Sequence, residues 1–240
     1  MYFGSDEDVF ESPLPLAGCA SLRAASGRAC VRSRGDPAHV RPATTGTTIP
    51  PRAVRPSMGF HTFDVERADA LEDPGRYERL SAAELVGAAA LADDDRVLDV
   101  GSGTGFYTDV LATVAERVYA VDVQPAMAVR YRQKGVPEGV RLLAADAGRL
   151  PLPADTVDVA VSTMTYHELP AAAVTEMARV VRSGGRLVIA DWTSAGAGDA
   201  GPPLGERFDA WTTGEALDGA GFSVRRVESR RETFLVVATR

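Results

Sequence analysis

The sequence predicts an α/β fold: a mostly parallel, seven-stranded sheet with helices on both faces and a C-terminal antiparallel hairpin. Three observations predict it. From Arg96 onward, short apolar strand patterns at 96–100, 118–122, 140–145, 157–162 and 186–191 alternate with helical patterns at 104–115, 125–134, 170–182 and about 213–220. Strands separated by helix-length crossovers lie parallel in one sheet. The final stretch, FSVRRVESRRETFLVVATR, breaks this alternation with two strand patterns, about 222–228 and 232–239, around a short polar turn, which is a hairpin. The third observation is VLDVGSGTGFYT, Val97 to Thr108, where the first strand runs into three glycines and then a helix.

The N-terminal part has a different character. Residues 1–57 carry seven arginines against five acids, seven of the fifteen prolines and both cysteines, Cys19 and Cys30. No aromatic residue falls between Phe10 and Phe60. This composition predicts a disordered extension, or an extension added by a mis-assigned start, with Met58 the true first residue. Leu16-Ala17-Gly18-Cys19 has the look of a lipoprotein cleavage box, but four acids and no apolar run precede it. Residues 58–240 are expected to form the domain, 58–92 as a flap and helix and 93–240 as the sheet core. Phe60, Phe63, Leu71 and Tyr77 lend 59–80 an amphipathic character, and Ser81-Ala82-Ala83-Glu84 is a capping box that starts a helix running to about Leu91. Asp93-Asp94-Asp95 lacks the alternating ligands and glycine of a calcium loop and reads as a solvated turn. The segment Val174, Met177, Ala178, Val181 reads as a helix stripe ended by Gly184-Gly185 as a C-cap pair.

Charge and composition narrow the function. With a formal net charge of -7, nucleic acid is not an expected partner. No apolar run of about 18 residues exists, so no membrane span is expected. A cytoplasmic location is expected. With no cysteine beyond residue 57, thiolate nucleophiles, disulfides and cysteine metal sites are excluded from the domain, and no metal site is expected.

The glycine loop carries the chemistry. Glycines let a ligand approach bare backbone, and the loop aims a helix N-terminus at it. A dinucleotide fingerprint needs a third glycine where Phe106 stands, and a phosphate loop needs a Gly-Lys-Ser/Thr that is absent. Asp99, two residues before Gly101, would repel a pyrophosphate and suits a ligand with ammonium and sulfonium groups. The acid followed by Gly101-Ser102-Gly103-Thr104-Gly105 resembles the first motif of the class I S-adenosylmethionine-dependent methyltransferases. Asp122 ends the second strand, where an acid can accept both hydroxyls of a ribose. Val123 and Met127 follow it as candidates to pack on adenine, with helix packing the alternative for Met127.

The stretch LLAADAGRLPLPADTVDVAVS is similar to the subgroup that contains the ubiquinone and menaquinone C-methyltransferases, with Leu150, Pro151, Asp155 and Asp158 matching its pattern. The resemblance implies a Rossmann-like sheet and S-adenosylmethionine as cofactor. It also implies that Asp146 hydrogen-bonds the adenine amino group while the Ala147 backbone meets the ring. Ser162, at the end of the fourth strand, completes the cofactor set. The acceptor is expected to be a small molecule. After the fourth strand comes Ser162-Thr163-Met164-Thr165-Tyr166-His167-Glu168, without the Asn/Asp-Pro-Pro-Tyr/Phe of nucleic-acid and glutamine amino methyltransferases. His167 is the candidate general base; the alternative is that it packs or caps the next helix. Tyr166 and Asp191 are weaker candidates. Trp192 either walls the acceptor or packs the 193–208 loop, and His61, Phe63, Asp64 and Tyr77 are candidates for a lid. A cofactor-binding protein without turnover and a nicotinamide oxidoreductase are the alternative readings. The oligomeric state stays open.

Overall fold

A computed structural model of the chain describes residues 62–240. The extension expected over 1–57 and the lid candidate His61 lie outside the described residues. The sheet has seven strands: β1 Arg96–Val100, β2 Arg117–Asp122, β3 Val140–Ala144, β4 Val157–Thr163, β5 Val181–Trp192, β6 Ser223–Ser229 and β7 Thr233–Thr239. Their order is β3-β2-β1-β4-β5-β7-β6. β1 to β5 pair in parallel, and β7 pairs antiparallel with both β5 and β6. The expected five parallel strands and terminal hairpin are therefore present.

Successive strand residues point to opposite faces, and here both faces are covered. Leu98 and Val100 of β1, Leu187 and Ile189 of β5 and Phe234 and Val236 of β7 enter one core. The helices α4 Ala173–Val180 and α5 Ala210–Gly219 close it with Met177 and Leu217. The intervening residues Val97, Val188, Ala190 and Leu235 enter the other core. That core is closed by α1 Ala82–Ala89, α2 Phe106–Ala112 and α3 Pro125–Lys134 through Leu85, Leu111 and Tyr131. Each leucine or isoleucine fully buried this way contributes about 1.5–3 kcal/mol. β6 stays at the edge and presents Arg225, Arg226 and Glu228 to solvent, which discourages pairing with another strand. No helix among the described residues is long and apolar enough to cross a membrane.

The helices start where side chains cap them. Ser81 accepts from the Glu84 amide at 3.2 Å, as the capping box predicts. Asp209 accepts from the Thr212 amide at 2.8 Å, which starts α5 three residues before the predicted position. Residues 62–80 fold as two 3-10 helices, Val65–Glu72 and Pro74–Glu78, capped by Asp64 and Asp73.

One predicted boundary is corrected. α4 ends at Val180, and β5 begins at once because Val181 pairs with Val157. Gly184 and Gly185 thus lie inside the strand and do not cap the helix. The Gly184 amide donates to the Arg240 carbonyl at 2.8 Å, and the Arg240 amide donates to the Gly185 carbonyl at 2.9 Å. A Cβ on Gly185 would stand 2.6 Å from the Asp158 carbonyl oxygen, so the pair is a site of close backbone approach. Gly185→Ala is expected to destabilise the protein by about 1–3 kcal/mol. Urea unfolding should show a lowered midpoint with an unchanged slope.

Candidate functional site

The chain winds from β1 to β3 on one side of the sheet, then returns to place β4 and β5 on the other. A crevice opens at such a reversal, outside the carboxyl ends of the strands. Here it is a cleft floored by Val100, Gly101, Ser102 and Gly103. Gly101 and Gly103 take φ of 77° and 55°, values that favour glycine. A Cβ on Gly101 would strike the Thr165 side chain. The amides of Gly101 and Ser102 both donate to the Val121 carbonyl, at 2.8 and 3.0 Å, and the Gly105 amide donates to the Ser102 carbonyl at 2.9 Å. The Gly103 amide donates to Asp122 Oδ2 at 2.9 Å. These four amides are committed inside the protein, so the loop is no phosphate cradle. Gly105 is the N-cap of α2, but the cleft is lined by 101–103 and not by α2 itself, which corrects the expectation that the helix N-terminus faces the ligand.

Asp122 stands at the mouth of the cleft. Its Oδ1 accepts from the Gln124 amide at 2.8 Å, so each carboxylate oxygen is held by one backbone amide and keeps a further lone pair toward the cleft. Burial raises its pKa, opposed by the two amide bonds. Val123, Met127 and Ala147 line the same cleft, Val123 exposed and Met127 buried.

Three further predicted residues, like Gly105, are not among those lining the cleft. Asp99 is fully buried behind the glycine loop and does not line the cleft. The Thr108 hydroxyl donates to its Oδ2 at 2.6 Å, Oδ1 has no partner, and burial pushes the carboxyl up to about 6. Asp146 lies at the rim beside the lining residues Ala145 and Ala147, its Oδ1 accepting from the Gly148 amide at 2.7 Å. Ser162 is buried within β4 with no partner for its hydroxyl, and it is Met164 and Thr165 that reach the cleft.

A second cleft, about 1370 Å³, adjoins the first. The two share Phe63, Leu71, Arg76, Met164 and Glu168 as a common wall. His167 lines only the second. Its Nδ1 lies 3.0 Å from both carboxylate oxygens of Asp191, and its backbone amide donates to Asp191 Oδ2 at 2.6 Å. Asp191 is wholly buried at the end of β5 and also accepts from the Trp192 amide at 2.8 Å. This carboxylate holds Nδ1 as the protonated nitrogen and leaves Nε2 as the acceptor. Nε2 is 3.7 Å from Glu168 Oε1. Burial works against charge on His167, but the Asp191 hydrogen bond, together with the charges of Asp191, Glu168 and Glu206, outweighs it and raises the pKa. Tyr166 instead packs into the core beside Phe208, ring centroids 5.3 Å apart.

Trp192 belongs both to the second cleft and to the packing of the 193–208 loop. It lines the second cleft, and Gly201 lies so close that a Cβ there would overlap the indole. The loop is tied down by Arg207, fully buried, which donates to the carbonyls of Ala200, Pro202 and Thr193 and pairs with Glu232 at 3.3 Å.

The flap contributes Phe63, a lid candidate, and Arg76, which the sequence did not single out. Phe63 is held from both sides: Gln124 Nε2 donates to its carbonyl at 2.8 Å, and a backbone hydrogen bond joins it to Glu168. Asp64 only caps its helix, and Tyr77 packs on Phe106 at 4.7 Å. Arg76, half-buried, donates to the Leu71 carbonyl at 2.7 Å and lies over Phe106 and Tyr107. Burial lowers its pKa. Nothing in the local sequence marks Arg76, because its place in the cleft depends on how the flap crosses the sheet. Among the described residues, no cluster of His, Cys, Asp and Glu fits a metal ion.

Comparison with known proteins agrees with this geometry. A family described as a methyltransferase domain matches residues 98–189. A crystal structure of a SAM-dependent methyltransferase from Aquifex aeolicus is 34% identical, with a TM-score of 0.68, covering 74% of this chain and 98% of that one. A 2-methyl-6-phytyl-1,4-hydroquinone methyltransferase of Oryza sativa subsp. japonica is 35% identical over 131 residues, 53% of this chain and 33% of the relative. A demethylmenaquinone methyltransferase of Mycobacterium sp. (strain KMS) is 33% identical over 119 residues, 49% of this chain and 50% of the relative. The chain thus spans half or less of the length of these curated relatives. With the glycine loop, the sheet order and a similarity that runs nearly the whole length of the Aquifex aeolicus enzyme, the chain belongs to the S-adenosylmethionine-dependent methyltransferases.

Proposed function

We propose that the protein transfers the methyl group of S-adenosylmethionine to a small-molecule acceptor by in-line displacement. One observation carries the reading: two clefts meet along a shared wall at the carboxyl edge of the sheet, one framed by a glycine loop and a ribose-type acid, the other by a His–Asp pair. The residues present fit the cofactor. Asp122 has the lone pairs to accept two ribose hydroxyls, and Val123 and Met127 offer an apolar face to adenine beside Ala147. Asp146 at the rim has its second oxygen for the amino group. Arg76 opposes the carboxylate of the methionine moiety, whose charge would offset the cost of burying the guanidinium. Asp99 lies behind the loop, where its charge favours a cationic ligand through space and by holding Thr108.

S-adenosylmethionine supplies an already activated sulfonium methyl. The protein supplies alignment, worth roughly 7–11 kcal/mol of barrier, and exclusion of water by the Phe63 flap. His167 Nε2 takes the proton that the acceptor loses, and Asp191 holds the resulting imidazolium. The quinone-type names of the relatives support a small acceptor. A cytoplasmic location goes with this reading, since the methyl donor is made and used there. The catalytic unit on this reading is residues 58–240.

Calorimetry should show tight binding of S-adenosylhomocysteine, weakened by about 100-fold in Asp122→Ala with the fold retained, because two charge-assisted hydrogen bonds of about 1.5 kcal/mol or more are lost. Unchanged affinity would remove Asp122 from the site. A protein that starts at Met58 should bind S-adenosylhomocysteine as the full chain does. Ligand at 100 times its dissociation constant should raise the melting temperature of either by about 5–11 °C; a shift in the full chain alone would show that 1–57 contributes to the site.

The third expectation concerns pH. A histidine with a raised pKa is protonated, and so unable to accept a proton, until the pH passes above 6.5. kcat/KM should therefore rise with pH through an inflection above 6.5. Asp191→Asn removes the group that raises the pKa, so the inflection should move down and the plateau should fall. His167→Gln should abolish the rising limb and cost roughly 10²–10⁴-fold in rate. A limb that persists in His167→Gln would assign the proton transfer elsewhere.

A further inference from the structure

We infer that the second cleft takes an acceptor bearing an oxyanion, a carboxylate or a phosphate, gripped by Arg67 and Arg79 with its body against Trp192. This rests on the reading of the first cleft as the cofactor site and the second as the acceptor site. The observation behind it is a segregation of charge along the flap. Residues 62–80 contain six acids and three arginines, and so are acidic overall. Yet all three arginines, Arg67, Arg76 and Arg79, line the second cleft, and only one of the six acids, Asp73, does.

Four of the six acids have partners of their own. Asp69 pairs with Arg130 at 3.7 Å, and Glu72 pairs with Lys134 at 3.1 Å and accepts from the Thr104 hydroxyl, both on the α3 side of the flap. Asp64 and Asp73 cap the two short helices, accepting from the amides of Glu66 and Gly75 at 2.9 and 2.8 Å. The arginines have no such partners. Among the described residues, neither Arg67 nor Arg79 has a carboxylate within 4.0 Å. Arg79 donates to the Gly75 carbonyl at 3.3 Å, with its guanidinium 5.1 Å from the Trp192 ring centre, and Arg67 lies 6.0 Å from the ring of Phe63.

Arg76 is on the wall common to both clefts and faces the cofactor carboxylate on the reading above. Arg67 and Arg79 line the second cleft alone. Two planar guanidinium forks that line one cleft with no ion-pair partner among the described residues suit an oxyanion, to which each can donate two parallel hydrogen bonds. The other acid of this cleft, Glu168, lies on the shared wall, tied to the Phe63 backbone and near His167. A neutral acceptor would leave unused the charge-assisted bonds that both guanidiniums can offer an oxyanion. An acceptor with an oxyanion at one end and a flat apolar body at the other would satisfy the arginines and cover the indole.

Trp192 provides the readout. The chain has two tryptophans, and the other, Trp211, is exposed on α5 and lines neither cleft. In full-length W211F, Trp192 is the sole tryptophan. Its emission would be titrated with benzoate, phenyl phosphate and the neutral benzamide at constant ionic strength, with and without saturating S-adenosylhomocysteine. We expect benzoate or phenyl phosphate to give a saturable change at least tenfold tighter than benzamide, and the better of the two assigns carboxylate or phosphate. Arg67→Gln/Arg79→Gln should weaken that anion tenfold or more while calorimetric binding of S-adenosylhomocysteine is unchanged, which also shows that the variant is folded. Equal binding of benzamide, no saturation by either anion, or an unaffected double variant would overturn the inference. Failure of S-adenosylhomocysteine to bind W211F, with anion binding intact, would instead overturn the cofactor reading.

Discussion

Parallel strands cannot be joined by tight turns, so each crossover must leave one edge of the sheet and return to the other. When the chain reverses its winding direction between β3 and β4, the loops after β1 and β4 part, and the cleft forms between them. Every functional group discussed above stands at or near that reversal. Val100 leads into the glycine loop, Asp122 ends β2, His167 follows β4, and Asp191 and Trp192 end β5. The two apolar cores on either face hold the strand ends in register, so these side chains inherit positions set by the sheet.

The glycine loop is built differently from an anion-binding loop of similar composition. Its amides turn inward, to Val121, to Ser102 and to Asp122, and so stiffen the junction of β1 and β2. What the loop offers a ligand is space where a side chain would otherwise stand. Asp99 behind it adds negative potential, which suits a cation and opposes a pyrophosphate. The same carboxylate that holds Gly103 also holds Gln124, and Gln124 in turn holds Phe63 of the flap. Glycine loop, Asp122 and flap are therefore one hydrogen-bonded unit.

The flap divides its charges by face. Asp64 and Asp73 cap its own helices, Asp69 and Glu72 lean toward α3, and its three arginines line the second cleft. The second cleft thereby combines three arginines, an indole wall and a histidine oriented by a buried carboxylate. Arg207 keeps the wall in place by binding three carbonyls of the loop that packs on Trp192. Each cleft is thus lined by segments more than 100 residues apart in the chain.

Strand and helix order, the hairpin, the glycine loop and Asp122 were legible in the sequence, because each depends on local periodicity or on spacing within one strand–loop–helix unit. The Gly184-Gly185 pair misled for the same reason. Its local pattern is that of a helix end, while its cause, the approach of the Asp158 and Arg240 backbones, lies far away in the chain. Asp99 and Ser162 carry the right residue types at strand ends, but the alternation of faces buries both short of the cleft. His167 was visible as a candidate, yet only the sheet brings Asp191 to its Nδ1 and so assigns which nitrogen is left to accept a proton. Arg67, Arg76 and Arg79 look like ordinary charges of an acidic helical segment. The sequence alone determined the fold and the class of ligand, since these follow from short-range pattern. The tertiary structure decided which charges face the clefts and which are spent on caps and ion pairs, because that choice depends on how the flap lies across strand ends remote from it in sequence.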